Sequence, residues 1–171
     1  MSQRPNILIC GTPGTGKTTT AEAVAQQAGY NHINVGQWVA EKGLHSGWDE
    51  EFNCWTIDED KVCDAMEDVM AEGGNIVDHH GCEFFPERWF DLVLVLQADN
   101  TVLYNRLEKR GYNAHKIQEN VECEIMMVIL EEARENYKEN IVRTLPSNTV
   151  EQLEANVTQI VTWIREQARM Q

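Results

Sequence analysis

The octapeptide Gly11-Thr12-Pro13-Gly14-Thr15-Gly16-Lys17-Thr18 limits the folds open to this chain more than any other segment. It satisfies G-x-x-x-x-G-K-[ST] at every fixed position. A short apolar run, Asn6–Cys10, precedes it, and helical periodicity over 17–28 follows it. A strand that ends in such a loop and restarts as a helix can curl its backbone N–H groups around phosphate oxygens. Glycine permits the curl, and the helix N-terminus adds its positive dipole end. In this arrangement Lys17 reaches the β- and γ-phosphates, and the Thr18 hydroxyl is a ligand for Mg²⁺. Pro13, Gly14, Thr15 and Gly16 shape the rest of the cradle, and Thr19 adds a hydroxyl nearer the α-phosphate.

The pattern beyond the loop alternates short apolar runs with helical stripes, as a parallel sheet covered by helices requires. Strands are expected at Asn6–Cys10, Asn31–Val35, Asn75–Asp78, Leu92–Leu96 and Ile141–Leu145. Helices are expected over 17–28, 58–72, 100–110, 117–140 and from Val150 onward, with 37–57 polar, aromatic and irregular. Leu92–Leu96 is apolar at every position, which a central parallel strand buried on both faces demands. The reading is one domain over 1–171: a three-layer α/β P-loop fold with a five-stranded parallel sheet.

Charge narrows the partners. Fourteen basic residues against 28 acidic ones leave a net charge of −14, which opposes binding of nucleic acid or anionic lipid through a broad basic face. A small basic pocket for phosphate survives that exclusion. No apolar run approaches the length of a membrane span. The five cysteines are odd in number, widely spaced and free of any CxxC pair, so reduced thiols are expected rather than a zinc ribbon.

Two further groups carry chemistry. Asn75-Ile76-Val77-Asp78 is an apolar strand ending in an acid, and an Asp beside the phosphate loop's strand commonly holds Mg²⁺. His79 and His80 follow it, either to orient water or contact a phosphate, or simply to bond a carbonyl. With Cys82 they lack a fourth ligand for a metal cluster. Arg106 and Arg110 share one helix face four residues apart, either clamping a phosphoryl group or forming a solvated helix end. The insert carries Trp38, Trp48, Phe52 and Trp55, which read as a stacking surface for a base or as a small satellite core.

Together with Ile-Asn-Val-Gly (33–36), Val-Asp-His-His-Gly-Cys-Glu-Phe-Phe-Pro-Glu-Arg-Trp (77–89), Arg-Leu-Glu-Lys-Arg-Gly-Tyr (106–112) and Leu-Pro-Ser-Asn (145–148), the loop resembles one branch of the nucleoside monophosphate kinases. That branch is adenylate kinase isoenzyme six, also called the coilin-interacting nuclear ATPase, and the resemblance runs over roughly residues 5–165. It implies a monophosphate-binding insert (34–57), a short lid (109–119), and transfer of the ATP γ-phosphoryl group to AMP, less readily to CMP or dCMP. It also implies Mg²⁺-dependent ATP hydrolysis and a nuclear and cytoplasmic role in maturing the small ribosomal subunit and its rRNA. The implied partner is a basic small-subunit ribosomal protein, so contact with the pre-ribosome is indirect.

Carried onto this sequence, the resemblance places ATP phosphates on Gly14, Gly16, Lys17, Thr18 and Thr19, with Arg110 and Arg106 reaching in from the lid. Asp78 and His80 take the positions tied to Mg²⁺ and hydrolysis, Gly36 belongs to the acceptor site, and Pro146–Thr149 lie near the adenine. The chain also departs from ordinary adenylate kinases. After Gly36 it reads Gln37, Trp38, Val39, Ala40 where an arginine is usual, and after the lid it offers Glu119, Glu122 and Glu124. Arg88 is the one cation left for the acceptor phosphate. Fewer clamping charges predict a modest monophosphate kinase with ATPase activity beside it.

Overall fold

A computed structural model describes residues 4–170. Five parallel strands form the central sheet: β1 (Ile7–Cys10), β2 (Asn31–Asn34), β5 (Asn75–Asp78), β6 (Leu92–Gln97) and β7 (Val142–Pro146), in the order β2-β5-β1-β6-β7. Parallel strands with crossover helices bury both faces, and the sequence alternates accordingly. Ile7 and Ile9 of β1 point to one side, where α1 (Lys17–Ala28) and α7 (Val150–Arg169) supply Val24, Val157 and Ile160. Leu8 and Cys10 point to the other, where α3 (Glu59–Glu72) and α6 (Val128–Asn136) supply Val62, Met66, Ile129 and Leu130. The three expected layers are present.

The topology fixes where a ligand can sit. β1 lies mid-sheet; the chain leaves it through α1 for β2 on one side and later places β6 on the other. Crevices beyond the carboxyl ends of strands at such a reversal are the usual binding sites of open α/β sheets. The phosphate loop starts there, and the register Ile9↔Asp78 sets the acid of β5 beside it.

Two expectations fail. Residues 37–57 are not irregular: α2 (Val35–Lys42) is followed by a hairpin of β3 (His45–Asp49) and β4 (Cys54–Ile57). Asn34 starts α2 by accepting the Gln37 N–H, so Val35 and Gly36 form its first turn instead of ending β2. In the hairpin the Asp49 carboxylate accepts the N–H groups of Glu51 and Phe52, which closes the turn. The helix expected over 117–140 is two, α5 (Ala114–Ile125) and α6, broken where Met127 takes φ 53°. Their burial explains the break. The Ile117 side of α5 packs on Leu103 and Leu107 of α4 (Asn100–Lys109), whereas α6 packs on the sheet.

The same α4 leucines fix the loop. Gly14 has φ 94°, and a Cβ there would stand 2.8 Å from Leu103 Cδ1 and 3.0 Å from Leu107 Cδ2, both side chains fully buried. Gly14→Ala therefore combines left-handed strain with a core clash, and a loss of about 1–3 kcal/mol is expected by urea unfolding. A change below a few tenths would show that α4 does not pin the loop.

Candidate active site

The loop is held from three sides. The Thr15 hydroxyl and N–H both donate to the Thr12 carbonyl, at 2.7 and 3.2 Å, so Thr15 braces the turn and offers no side chain to a ligand. Ser147, just after β7, donates its hydroxyl to the Thr15 carbonyl at 2.5 Å. Arg106 donates to the Gly14 carbonyl at 3.1 Å. Gly16 (φ 88°) then opens α1, whose first-turn N–H groups have no intrahelical acceptor and face the ligand side.

Lys17 lies over this loop with its ammonium 3.3 Å from the Thr12 carbonyl. Burial lowers its pKa from 10.5 to about 8; Asp78 opposes the shift and Arg110 adds to it. A desolvated cation beside a second cation is poorly balanced without an anion, and phosphate is the anion this loop accepts. Arg106 is likewise shifted down by burial and then by Arg110. The clamp reading of the arginine pair fits this better than a solvated helix end does.

Asp78, nearly inaccessible at the end of β5, gathers three neighbours. The Thr18 hydroxyl lies 3.2 Å from its Oδ1, His32 Nε2 lies 2.5 Å from its Oδ2, and the Asn34 amide approaches at 3.4 and 3.5 Å. His32 and Asn34 were not anticipated. Their signal is the alternation of Asn31-His32-Ile33-Asn34, in which only Ile33 is buried, so that two polar side chains share the face next to Asp78. The Thr18 hydroxyl and the Asp78 carboxylate are hard oxygen donors suited to Mg²⁺, which usually takes one or two protein ligands and completes its shell with phosphates and water. Among the described residues no cluster of three acidic, His or Cys side chains forms a self-contained metal cage. The residues fit a nucleotide-borne Mg²⁺.

Two clefts meet at the loop. One is lined by Gly14, Gly16, Thr19, Arg106, Arg110, Ser147 and Thr149, which places the expected adenine segment beside the phosphate cradle. The other, about 460 Å³, brings Pro13, Lys17, Thr18, Gly36, Asp78, His80 and Arg110 together with Trp48 and Trp55 of the hairpin. Arg110 and the loop belong to both. The aromatic insert divides accordingly: Trp38 packs partly buried against the core, whereas Trp48 and Trp55 stand open at the cleft mouth, 48% and 37% exposed. Those two pack on one another and, through Trp55, on His45, leaving part of their rings open to the cleft. His79 is buried in contact with Phe84 and Phe85 at the wall of the same cleft and held neutral by burial and by His80. His80 opens to the cleft, and its carbonyl accepts the Gly11 N–H at 3.3 Å.

Arg88 is a correction. It sits in the turn before β6, 68% exposed, in an ion pair with Glu67 at 2.7 Å. Its cleft is shared with Arg4, Asn6 and Asp91, at the amino ends of β1 and β6, opposite the loop. Elimination among the cations does not place a side chain: from Gly81 to Asp91 the chain travels the full height of the sheet.

The fold and this site define a P-loop phosphoryl-transfer enzyme. The shikimate kinase of Acinetobacter baumannii superposes with a TM-score of 0.66 over 95% of this chain and 93% of its own at 14% identity, and a gluconokinase of Sinorhizobium meliloti gives 0.57 over 97% and 99% at 15%, a likeness of fold alone. The AAA domain family model matches residues 7–127. The adenylate kinase isoenzyme 6 homolog of Dictyostelium discoideum is 60% identical over 95% of this chain and 93% of its own length; that of Saccharomyces cerevisiae is 42% identical over 93% and 81%. The chain belongs to the adenylate kinase isoenzyme 6 family of P-loop nucleotide kinases.

Proposed function

We propose that this enzyme transfers the γ-phosphoryl group of Mg-ATP to AMP, and less readily to CMP or dCMP, with ATP hydrolysis as a companion activity. One observation carries the reading: a phosphate-holding cleft and an aromatic cleft both open on the phosphate loop, with Arg110 in the wall of each. ATP lies with its phosphates along Gly14–Thr19 and its base toward Ser147 and Thr149. The acceptor base meets Trp48 and Trp55, which brings its phosphate toward Lys17 and Arg110. Transfer needs no covalent nucleophile, because in-line displacement depends on positioning and charge neutralisation. Segment 34–57 is the acceptor insert, and 109–119, the α4–α5 corner with Arg110, is the lid.

A second reading, an ATP-driven assembly switch, is favoured by an exposed apolar patch that borders the segment expected near the adenine. Ile125, Met126, Met127 and Val128 are 53, 70, 50 and 38% exposed at the α5–α6 break. On a chain of net charge −14, such a patch suits a basic protein with apolar anchors. Here the partner is a basic small-subunit ribosomal protein, met in nucleus and cytoplasm during pre-ribosome maturation. Following ADP and free phosphate separately decides between the two. With AMP present, the kinase reading expects two ADP per ATP consumed and little phosphate. Equal ADP and phosphate, indifferent to AMP and raised by a basic ribosomal protein, would leave only the switch.

A further inference from the structure

We propose that the acceptor cleft also takes an uncharged nucleoside, so that the enzyme phosphorylates a nucleoside hydroxyl in addition to a monophosphate. The proposal rests on the two-cleft reading above and widens its substrate class. It begins with charge. A monophosphate acceptor arrives as a dianion, and sites for such groups meet them with dedicated arginine or lysine.

The cations lining the acceptor cleft, among the described residues, are Lys17 and Arg110. Both already serve the donor: Lys17 belongs to the phosphate loop, and Arg110 also lines the donor cleft. Arg106 is engaged with the Gly14 carbonyl, Lys116 lies 4.2 Å over the Tyr112 ring at the cleft wall but donates to the Phe52 carbonyl at 2.9 Å, and Arg88 lies at the opposite end of the sheet. The insert helix α2 presents no cation before Lys42, whose ammonium sits 4.6 Å over the Trp38 ring.

The walls point the same way. Trp48 meets Trp55 edge-on, with centroids 5.0 Å apart, and Val39, Ile57 and Tyr112 complete an apolar lining. His45 stacks on one side of Trp55 at 3.8 Å, and the surfaces that Trp48 and Trp55 leave exposed are stacking platforms, which a base gains from covering whether or not its sugar carries phosphate. Asn53 adds an amide group for sugar hydroxyls or base edges. Aromatic walls, neutral polar groups and few free cations suit a nucleoside.

The reaction balances without another reactant. The nucleoside hydroxyl oxygen forms a bond to the γ-phosphorus, the bond from that phosphorus to the β–γ bridging oxygen breaks, and ADP leaves with its electron pair. The hydroxyl proton passes to solvent, giving a nucleoside monophosphate, ADP and H⁺.

The test incubates the full chain with Mg-ATP and tritiated adenosine, with AMP in parallel and free phosphate followed in both. Adenosine is expected to reach at least roughly one-thirtieth of the AMP kcat/KM, a gap within what a site without dedicated phosphate contacts imposes. Trp55→Ala is expected to lower both acceptors together. Cys54→Arg, which adds a cation to the cleft wall, is expected to shift preference toward AMP by roughly fivefold or more. Active AMP turnover with adenosine below that bound overturns the inference and leaves the kinase reading standing. Loss of both acceptors with ATP hydrolysis intact overturns the kinase reading as well.

Discussion

Lys17→Met is expected to lower ATP-dependent turnover, with or without acceptor, by roughly 10³-fold, the scale on which phosphoryl-transfer sites depend on such a charge. The side chain lies on the loop, is desolvated, and, among the described residues, hydrogen-bonds the Thr12 carbonyl alone. Methionine keeps much of the length and packing and removes only the charge. Steady-state kinetics with AMP and direct phosphate release should fall together, because one loop serves both activities.

The same substitution should raise the stability of the nucleotide-free protein. In the fold, the Lys17 pKa drops from 10.5 to about 8, so the folded state binds the proton less readily than the unfolded chain. The charged lysine therefore destabilises the fold fully below about pH 8, and the penalty fades as pH rises from 8 toward 10.5. With partial exposure discounted, the penalty is about 2 kcal/mol. Urea unfolding should show Lys17→Met more stable at pH 7, with the gap closing toward pH 10. ATP affinity should run the other way and weaken above about pH 8, as Lys17 loses the proton that phosphate needs. A pH-independent gap would mean that Lys17 is not desolvated.

The second large effect belongs to Asp78→Asn, expected to lower turnover by roughly 10²–10³-fold and to raise the Mg²⁺ concentration needed for half-activity. Asparagine fits the same space but removes the negative charge, and one end of the amide becomes a donor. Against Thr18, Asn34 and His32, three groups able to donate to the native carboxylate, that donor is mismatched. Mn²⁺ binding to the ADP complex, read by electron paramagnetic resonance, should weaken in parallel. Unchanged Mn²⁺ affinity would place the metal-holding acid elsewhere.

Much of this architecture is written locally. The phosphate loop announces a strand, a turn and a helix within a few residues, and Leu92–Leu96 can only be a strand buried on both faces. The arginine pair was legible because a helix has a fixed period, and its aim at the loop follows from where α4 begins. Other features depend on distant contacts. The insert's hairpin is short, aromatic and polar, and its strands are defined by pairing Trp48 with Trp55 across a turn. The break at Met127 follows from α5 and α6 packing on different surfaces, which periodicity does not record. His32 and Asn34 gain meaning only once β2 pairs with β5 and brings them to Asp78. Arg88 shows the converse: a motif contiguous in sequence with His80 spans the sheet in space.

In the proposed arrangement donor and acceptor occupy two clefts that both open on the phosphate loop and share Arg110. A crystal structure of the chain with Mg²⁺, a non-hydrolysable ATP analogue and AMP tests it most directly. The account predicts the analogue's phosphates along Gly14–Thr19 with its adenine against Ser147 and Thr149, and the AMP base stacked at Trp48 and Trp55. An analogue base seated on the tryptophans, or AMP bound outside their cleft, would contradict it.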